Sequence, residues 1–131
     1  MNVLVSGATG LIGAALTPEL EAARHRVTRL TRSPKSEADI RWDPETGTID
    51  AARLEGVDAV VHLAGESIAE GRWTPEKKQR ILESRRQGTR LLAETIAVLH
   101  TPPRVMVSAS AVGYYGDRGN ELLREESAPG S

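Results

Sequence analysis

The sequence contains no cysteine and no phenylalanine among its 131 residues. The lack of cysteine excludes disulfide bonds and thiolate metal sites, zinc fingers included, and makes a reducing, cytoplasmic setting the default expectation. Tryptophan and tyrosine number only two each, so a hydrophobic core has to be built from valine, leucine, isoleucine and alanine. Such residues suit buried parallel strands that are flanked by helices.

Long apolar runs and an excess of one charge are also missing. Seventeen lysines and arginines face eighteen aspartates and glutamates, and the net charge is −1. Because opposite charges are interspersed, no overall field would attract nucleic acid or an anionic membrane. No stretch approaches the roughly 18 apolar residues of a membrane span, and no basic leader follows Met1. We therefore expect a cytoplasmic chain that binds neither nucleic acid nor a membrane.

Short apolar runs alternate with helical segments along the chain. The runs that predict strands are residues 3–6, 26–31, 39–42, 58–63 and 104–108. A first helix is expected to end near Leu20, and a second, over residues 74–99, has Thr74 as a good N-cap and Pro75 at its first position. This alternation predicts a Rossmann-type α/β domain over residues 1–131, with a parallel sheet of about five strands and flanking helices. A turn around Thr46 and Gly47 is expected to precede a brief helical stretch, and residues 116–131 are expected to form a loop or tail.

A glycine motif, Gly7-x-x-Gly10-x-x-Gly13, lies directly between the first strand and the first helix. A pyrophosphate requires backbone N–H groups, close approach of the main chain and the positive end of a helix dipole, and glycine supplies the first two by lacking a Cβ atom. The motif in this context predicts a dinucleotide-binding turn; a turn that only packs the helix on the strand is the alternative. The residues predicted to bind the cofactor here are Gly7, Thr9, Gly10, Leu11, Ile12 and Gly13.

The end of the second strand indicates which dinucleotide is preferred. NAD-binding folds usually place Asp or Glu about 20 residues after the glycines, where it binds the ribose 2′-hydroxyl. No acidic residue lies between Glu21 and Glu37, and the strand ends in Thr31, Arg32 and Ser33. Arginine can bind a 2′-phosphate through two charge-assisted hydrogen bonds, so these three residues favour NADP. That Arg32 is an ordinary solvated arginine is the alternative.

Together with the glycine motif, two further segments resemble the short-chain dehydrogenase/reductase superfamily in its extended, epimerase-like form. They are residues 60–65, Val-Val-His-Leu-Ala-Gly, and residues 108–116, Ser-Ala-Ser-Ala-Val-Gly-Tyr-Tyr-Gly. Other features are similar to the atypical YfcH-like branch of that family, namely residues 63–68, Arg72-Trp73, Ser84-Arg85 and Gly88-Thr89. The resemblance covers nearly the whole chain, and it implies an oxidoreductase or epimerase-like function with a nicotinamide cofactor.

The resemblance also implies roles for several residues outside the glycine turn. Leu63, Ala64 and Gly65 would pass beside the cofactor where the fourth strand ends, or else they are part of the core. Trp42 would flank the adenine, or else it covers the core. Arg85 replaces the asparagine of typical members and could reach the phosphates or ribose of the cofactor, or else it is a solvated arginine on a helix rich in cations.

The catalytic residues of the family are only partly represented. Ser110 matches the serine that binds the substrate carbonyl or hydroxyl in active members, although a hydroxyl that caps local backbone is the alternative. Ser108 is a weaker candidate for that role and is predicted to lie at the cofactor. Neither Tyr114 nor Tyr115 is followed by lysine four residues later, so the proton-transferring pair of the family is missing. No His, Asp or Glu residues have metal-ligand spacing, and His62 is expected to be a core histidine.

The missing pair leaves two interpretations of the function. The first is an NADP-dependent oxidoreductase or epimerase-like enzyme on a small polar, sugar-nucleotide-like substrate, of which this chain is the N-terminal part and by itself inactive. The second is a non-catalytic NADP-binding module for sensing or protein interaction. The second helix carries an apolar stripe and a Gly88-Thr89 site suited to close helix packing, yet no helix to cover it is predicted. We therefore expect a homo-oligomer.

Overall fold

The computed structural model describes residues 1–130, which form a six-stranded sheet with a helix packed on each face. The strands are β1 (Asn2–Ser6), β2 (Arg26–Thr31), β3 (Ile40–Asp43), β4 (Thr48–Ile49), β5 (Ala59–His62) and β6 (Val105–Ser108), and the helices are α1 (Leu11–Ala22) and α2 (Pro75–Ala97). The strand order is β4-β3-β2-β1-β5-β6, and every pairing is parallel except that of β3 with β4. The predicted Rossmann-type parallel sheet is confirmed.

Strand β1 lies at the centre of the sheet, where the order of the strands reverses. It pairs with β2 on one side and with β5 on the other. In open α/β sheets the ligand binds beyond the carboxyl ends of the strands at such a reversal. The last residues of the two adjacent strands, Ser6 and His62, pair with each other there.

Alternate residues of β1 and β5 fill two cores on opposite faces of the sheet. Leu4 and Val60 pack with Leu92 of α2, and all three are at most 1% exposed. Val3 and Val5 pack on the other face, toward α1. The cores consist of aliphatic residues apart from one tryptophan, as the lack of phenylalanine predicts.

Helix α2 begins as the sequence predicts but faces the sheet differently. The Thr74 hydroxyl accepts a hydrogen bond from the backbone N–H of Lys77 at 3.2 Å, and Pro75 starts the helix. Gly88, which the sequence analysis assigned to packing against a further helix, is turned toward the sheet. A Cβ atom on Gly88 would lie 3.3 Å from the Trp42 ring, so the glycine lets α2 approach β3. That prediction for Gly88 is therefore wrong.

Strand β4 was not predicted. Residues 44–47 form a turn in which the Asp43 carboxylate accepts the backbone N–H of Glu45 at 3.0 Å and Gly47 has φ +68°. The chain then returns along β3, and Trp42 pairs with Ile49. A 3-10 helix, Ala51–Leu54, follows and accounts for the brief helical stretch that was expected. A two-residue strand gives no periodicity that a sequence pattern could detect.

Beyond β6 the chain makes a 3-10 turn, Val112–Tyr115, and then runs to residue 130 without a helix or strand. The Arg118 guanidinium donates to the carbonyl of Ala128 at 2.9 Å, and the Gly130 N–H donates to the carbonyl of Tyr114 at 2.9 Å. The tail therefore folds back on the turn that precedes it. The last residue of the predicted tail, Ser131, lies outside the described residues.

Strand β6 forms one edge of the sheet and exposes apolar side chains. Val105 and Val107 are 50% and 56% exposed. They pair with Ala59 and Val61 of β5, which belong to the core on the α1 face. An uncovered apolar strip therefore runs along this edge on the α1 side. None of the helices in residues 1–130 is long and apolar enough to cross a membrane.

Candidate cofactor-binding site

A groove of about 900 Å³ opens at the carboxyl ends of β1, β2 and β5, where the strand order reverses. Its walls are the glycine turn, the end of β2, the segment after β5 and one side of α2. The sequence-predicted residues that line it are Gly7, Thr9, Gly10, Thr31, Arg32, Ser33, Trp42, Leu63, Ala64 and Gly65. The fold thus gathers, on one groove, residues that lie up to 58 positions apart.

The remaining predicted residues do not line the groove. Leu11 and Ile12 begin α1 with side chains that are 94% and 63% exposed. Gly13 is buried beneath the turn. Ser108 ends β6, and Ser110 follows two residues later; both are exposed at the strand end rather than in the groove.

The three glycines of the turn have different structural roles. Gly7 has φ +71°, and a Cβ atom there would lie 2.8 Å from the backbone nitrogen of Ala64. A Cβ atom on Gly13 would overlap the carbonyl oxygen of Gly7 and lie 2.7 Å from the Cα atom of Ala8. On Gly10 it would meet only the Gly7 oxygen, at 3.3 Å. Gly7 and Gly13 are therefore required by backbone packing, whereas Gly10 keeps the groove wall free of a side chain.

The residue that caps the start of α1 lies on this groove. Gly10 is the N-cap residue, and within residues 1–130 no side chain caps the helix. The first-turn N–H groups of an α-helix have no partner inside the helix, and the helix dipole adds positive potential there. A phosphate or pyrophosphate would satisfy these donors, so this end of the groove fits the central part of a dinucleotide.

The end of β2 presents cations to the groove. Arg32 is 70% exposed and lies 3.9 Å from the Glu45 carboxylate, a loose ion pair in solvent. The Thr31 hydroxyl accepts the backbone N–H of Ser33 at 3.2 Å, which fixes the turn after the strand. Lys35 lies on the same wall. This part of the groove fits an anionic group better than a bare ribose hydroxyl.

One carboxylate on this wall, Asp39, was not singled out from the sequence. Its side chain is 5% exposed and accepts backbone N–H groups from Lys35 and Ser36, at 2.8 and 3.2 Å. Arg29 lies 3.6 Å away. The Lys35 hydrogen bond is the main reason why the pKa of Asp39 is lowered. Asp39 is therefore ionised, its Oδ2 atom accepts both loop N–H groups and its Oδ1 atom faces Arg29, which leaves Arg32 as the more available group.

Trp42 lies between the core and the groove. It is 3% exposed, and its ring meets the His62 ring edge-on, with centroids 5.9 Å apart. The alternative in which Trp42 covers the core describes this position, because little of the ring remains for stacking on an adenine. Its contact with Gly88 fixes the distance between α2 and the sheet.

Arg85 does not line the groove, and its contacts differ from those expected. Its guanidinium donates to the carbonyls of Glu66 and Ile81, at 3.1 and 3.2 Å, and lies 3.0 Å from where a Cβ atom on Gly65 would be. The neighbouring Ser84 hydroxyl accepts the N–H of Glu66 at 2.9 Å. Arg85 thus holds the segment after β5 from behind, and a direct contact with the cofactor is not what this geometry shows. The direction of a side chain about a helix is set by its packing, which a residue count cannot supply.

Helix α2 contributes other residues to the groove that the sequence analysis missed. They are Arg80, Glu83, Ser84 and Gln87. Their spacing of three or four residues places them on one face of the helix, and that spacing is the signal that could have found them. Arg80 also pairs with Glu66 across this wall at 3.5 Å.

His62 is a core histidine. It is 3% exposed, its Nδ1 atom lies 2.6 Å from the Ser6 hydroxyl, and its Nε2 atom lies 3.2 Å from the Thr89 hydroxyl. Burial lowers its pKa, because the charged imidazolium would lose hydration. Among residues 1–130, no group of three or more His, Asp or Glu side chains is placed to hold a metal.

Comparison with known proteins agrees with the fold. Residues 3–130 match the model of the NAD dependent epimerase/dehydratase family. Epimerase family protein Mb2239 of Mycobacterium bovis is 39% identical over 130 residues, which are 98% of this chain and 42% of that protein. The chain therefore spans about two fifths of the length of this relative.

Two solved structures with similar sequences share the fold. The human epimerase family protein SDR39U1 (isoform 2) with NADPH matches with a TM-score of 0.86 and 38% identity, over 98% of this chain and 43% of that one. The nucleoside-diphosphate sugar epimerase from Corynebacterium glutamicum matches with a TM-score of 0.82 and 39% identity, over 100% of this chain and 27% of that one. The sequence-based resemblance is confirmed, and the chain belongs to the NAD dependent epimerase/dehydratase family.

Proposed function

We propose that the chain is the NADP(H)-binding part of an epimerase-like short-chain dehydrogenase/reductase that acts on a small polar substrate of the sugar-nucleotide class. The observation that carries the choice of NADP is the end of β2, where Arg32 faces the groove while Asp39 is engaged by its own loop. An arginine attracts a 2′-phosphate, and a free carboxylate at that position would repel it.

The residues of the groove suggest how the cofactor is held. The N–H groups at the start of α1 bind the pyrophosphate, and Thr31, Arg32 and Ser33 bind the 2′-phosphate of the adenosine. The backbone of residues 63–65 lies beside the nicotinamide half, and Ser110, beyond β6, polarises the substrate oxygen. When bound, the nicotinamide supplies a hydride donor or acceptor.

The comparisons support the proposal at two points. The similar human protein was solved with NADPH, and the similar bacterial protein is described as a nucleoside-diphosphate sugar epimerase. The first supports NADP as the cofactor, and the second supports the substrate class. The chain spans about two fifths of a curated relative. The substrate and the chemical reaction are therefore proposed for the whole protein and not for this chain alone.

The test compares NADPH and NADH in the full-length protein. Calorimetric titration should show NADPH binding at least about tenfold tighter, which corresponds to about 1.4 kcal/mol. Arg32→Ala should remove most of this preference and Arg32→Asp should reverse it. Arg90→Ala is the matched control, because Arg90 is 68% exposed and ion-paired like Arg32 but lies outside the groove. Equal affinities of the unaltered protein for both dinucleotides would exclude the NADP assignment.

A second candidate function, NADP binding without chemistry, is favoured by one observation. Both candidate serines, Ser108 and Ser110, lie outside the groove. The two functions differ in whether a nucleotide sugar is chemically changed when a panel of such sugars is added to the full-length protein with NADPH or NADP. A change in nicotinamide absorbance, or conversion of a sugar to its epimer detected by NMR with no net change in the cofactor, supports the enzyme. Tight NADPH binding with every sugar unchanged supports the module.

A further inference from the structure

A partly buried chain of hydrogen bonds runs beneath the segment that follows β5. Ser6 ends β1 and is 0% exposed; its hydroxyl lies 2.6 Å from His62 Nδ1 and accepts the backbone N–H of Ala64 at 3.3 Å. On its other side, the His62 ring reaches the Thr89 hydroxyl of α2 through Nε2, at 3.2 Å. These hydrogen bonds thus connect helix α2, through β5 and β1, to the backbone nitrogen of Ala64, which lies in the groove wall.

The donors and acceptors in this chain determine the state of the histidine. The Ala64 N–H can only donate, so the Ser6 oxygen accepts from it. The Ser6 hydrogen then needs its own acceptor, because a buried hydroxyl hydrogen without one costs about 1–3 kcal/mol. His62 Nδ1 is that acceptor, and the ring hydrogen is therefore on Nε2, which donates to Thr89. Burial favours this neutral ring.

The position of Ala64 determines the shape of the groove. Residues 63–64 lie directly against the glycine turn, since a Cβ atom on Gly7 would come within 2.8 Å of the Ala64 nitrogen. Behind them, Arg85 packs on Gly65. The backbone is thus confined between the turn and α2, and a small movement of Ala64, which lines the groove, would change the width of the groove.

We propose that Ser6, His62 and Thr89 act as positioning residues for the dinucleotide, because together they fix the position of the Ala64 backbone in the groove wall, where it would contact the cofactor. This inference rests on the proposed dinucleotide-binding function. None of the three side chains lines the groove, so each acts through Ala64 and not by touching the ligand.

The test uses Thr89→Val in the full-length protein and titrates NADPH by calorimetry. Loss of the hydrogen bond to His62 should weaken NADPH binding by about three- to tenfold, the range expected for one hydrogen bond. Thr89→Ser retains the hydroxyl and should restore affinity to within twofold. Thr95→Val is the matched control: Thr95 is on the same helix and buried, but its hydroxyl donates to the Leu91 carbonyl at 2.7 Å. It should leave NADPH binding unchanged.

A second readout does not depend on the cofactor. Nitrogen NMR of labelled histidine, with the His62 signal identified by its loss in His62→Asn, should show a neutral ring protonated on Nε2. Hydrogen exchange of the Ala64 amide should be slow in the unaltered protein and in Thr95→Val, and faster in Thr89→Val. The opposite tautomer, or equal exchange in the two valine variants, overturns the hydrogen-bond chain.

The outcomes also separate this inference from the proposed function. If the full-length protein binds neither NADPH nor NADH, the proposed function fails and the positioning role fails with it. If it binds NADPH but Thr89→Val and Thr95→Val bind equally well, only the positioning role is overturned. Weaker binding by Thr89→Val that Thr89→Ser restores supports both.

Discussion

The glycine turn allows packing and ligand binding to be separated by two matched substitutions, Gly13→Ala and Gly10→Ala. Alanine in a helix is intrinsically about 1 kcal/mol more favourable than glycine, so propensity alone predicts that Gly13→Ala stabilises the protein. The new Cβ atom, however, would overlap the carbonyl oxygen of Gly7 and lie 2.7 Å from the Cα atom of Ala8. These are backbone atoms, which cannot rotate away.

The expected net effect of Gly13→Ala is a loss of about 2 kcal/mol or more, since overpacking of this kind typically costs about 1–3 kcal/mol and sometimes more. Gly10→Ala places its Cβ atom against a single oxygen at 3.3 Å, and Gly10 has φ −75° in the extended region. Its cost should be within about 1 kcal/mol, mainly from the weaker N-cap. The same methyl group, however, narrows the groove where the pyrophosphate would approach, so NADPH affinity should fall at least about tenfold.

Urea unfolding followed by circular dichroism, combined with NADPH titration, distinguishes the two variants of the full-length protein. Gly13→Ala should lower the urea midpoint with little change in slope, whereas Gly10→Ala should keep the midpoint and lose affinity. The larger Gly10→Val should abolish binding while the fold persists. A Gly13→Ala protein that is about 1 kcal/mol more stable than the unaltered one would refute the packing argument, and undiminished NADPH binding by Gly10→Val would refute the ligand argument.

Further predictions concern the core, the Asp39 loop and the exposed sheet edge. Leu92→Ala should cost about 2–5 kcal/mol in urea unfolding because Leu92 is fully buried, whereas Leu82→Ala on the same helix, 56% exposed, should change stability by less than about 0.5 kcal/mol. The pKa of Asp39 is lowered from 3.8 in the fold, so its carboxylate stabilises the protein above that pH, and this contribution is lost as the pH falls through the native pKa. In Asp39→Asn the free energy of unfolding should therefore depend less on pH at the acid end. An unchanged pH dependence would count against the loop hydrogen bonds. The isolated 131-residue chain should form dimers or larger species by light scattering, and Val105→Lys with Val107→Lys should shift it toward monomer; a compact monomer of the unaltered chain at high concentration would exclude this edge as a site of self-association.

Local features of the sequence account for most of the fold. The alternation of apolar runs with helical segments gave the parallel strands and both helices, because strand and helix periodicity are properties of neighbouring residues. The two-residue strand β4 is too short to show such periodicity. Strand β4 forms because the Asp43–Glu45 turn brings Ile49 back to Trp42, and this contact is stabilised only by packing in the folded core.

The candidate site, like the fold, could be predicted from the sequence only in part. Gly7, Gly10 and Arg32 could be placed on the groove from the sequence, since their position depends on the order of strand, turn and helix along the chain. The orientations of Trp42 and Arg85 could not be predicted, because each depends on packing against residues that are distant in the sequence.

Tertiary structure alone decided where several polar side chains are directed. Asp39 lies just beyond the stretch without acidic residues, and only the folded loop shows that its carboxylate is already engaged by backbone N–H groups. His62 reads in the sequence as one polar residue in an apolar strand. Its partners Ser6 and Thr89 lie 56 and 27 residues away, so the hydrogen-bond chain beneath Ala64 exists only once β1, β5 and α2 have packed together. Sequence periodicity fixes which residues share a strand or helix, but burial and hydrogen-bond satisfaction across the fold fix what each polar side chain can bind.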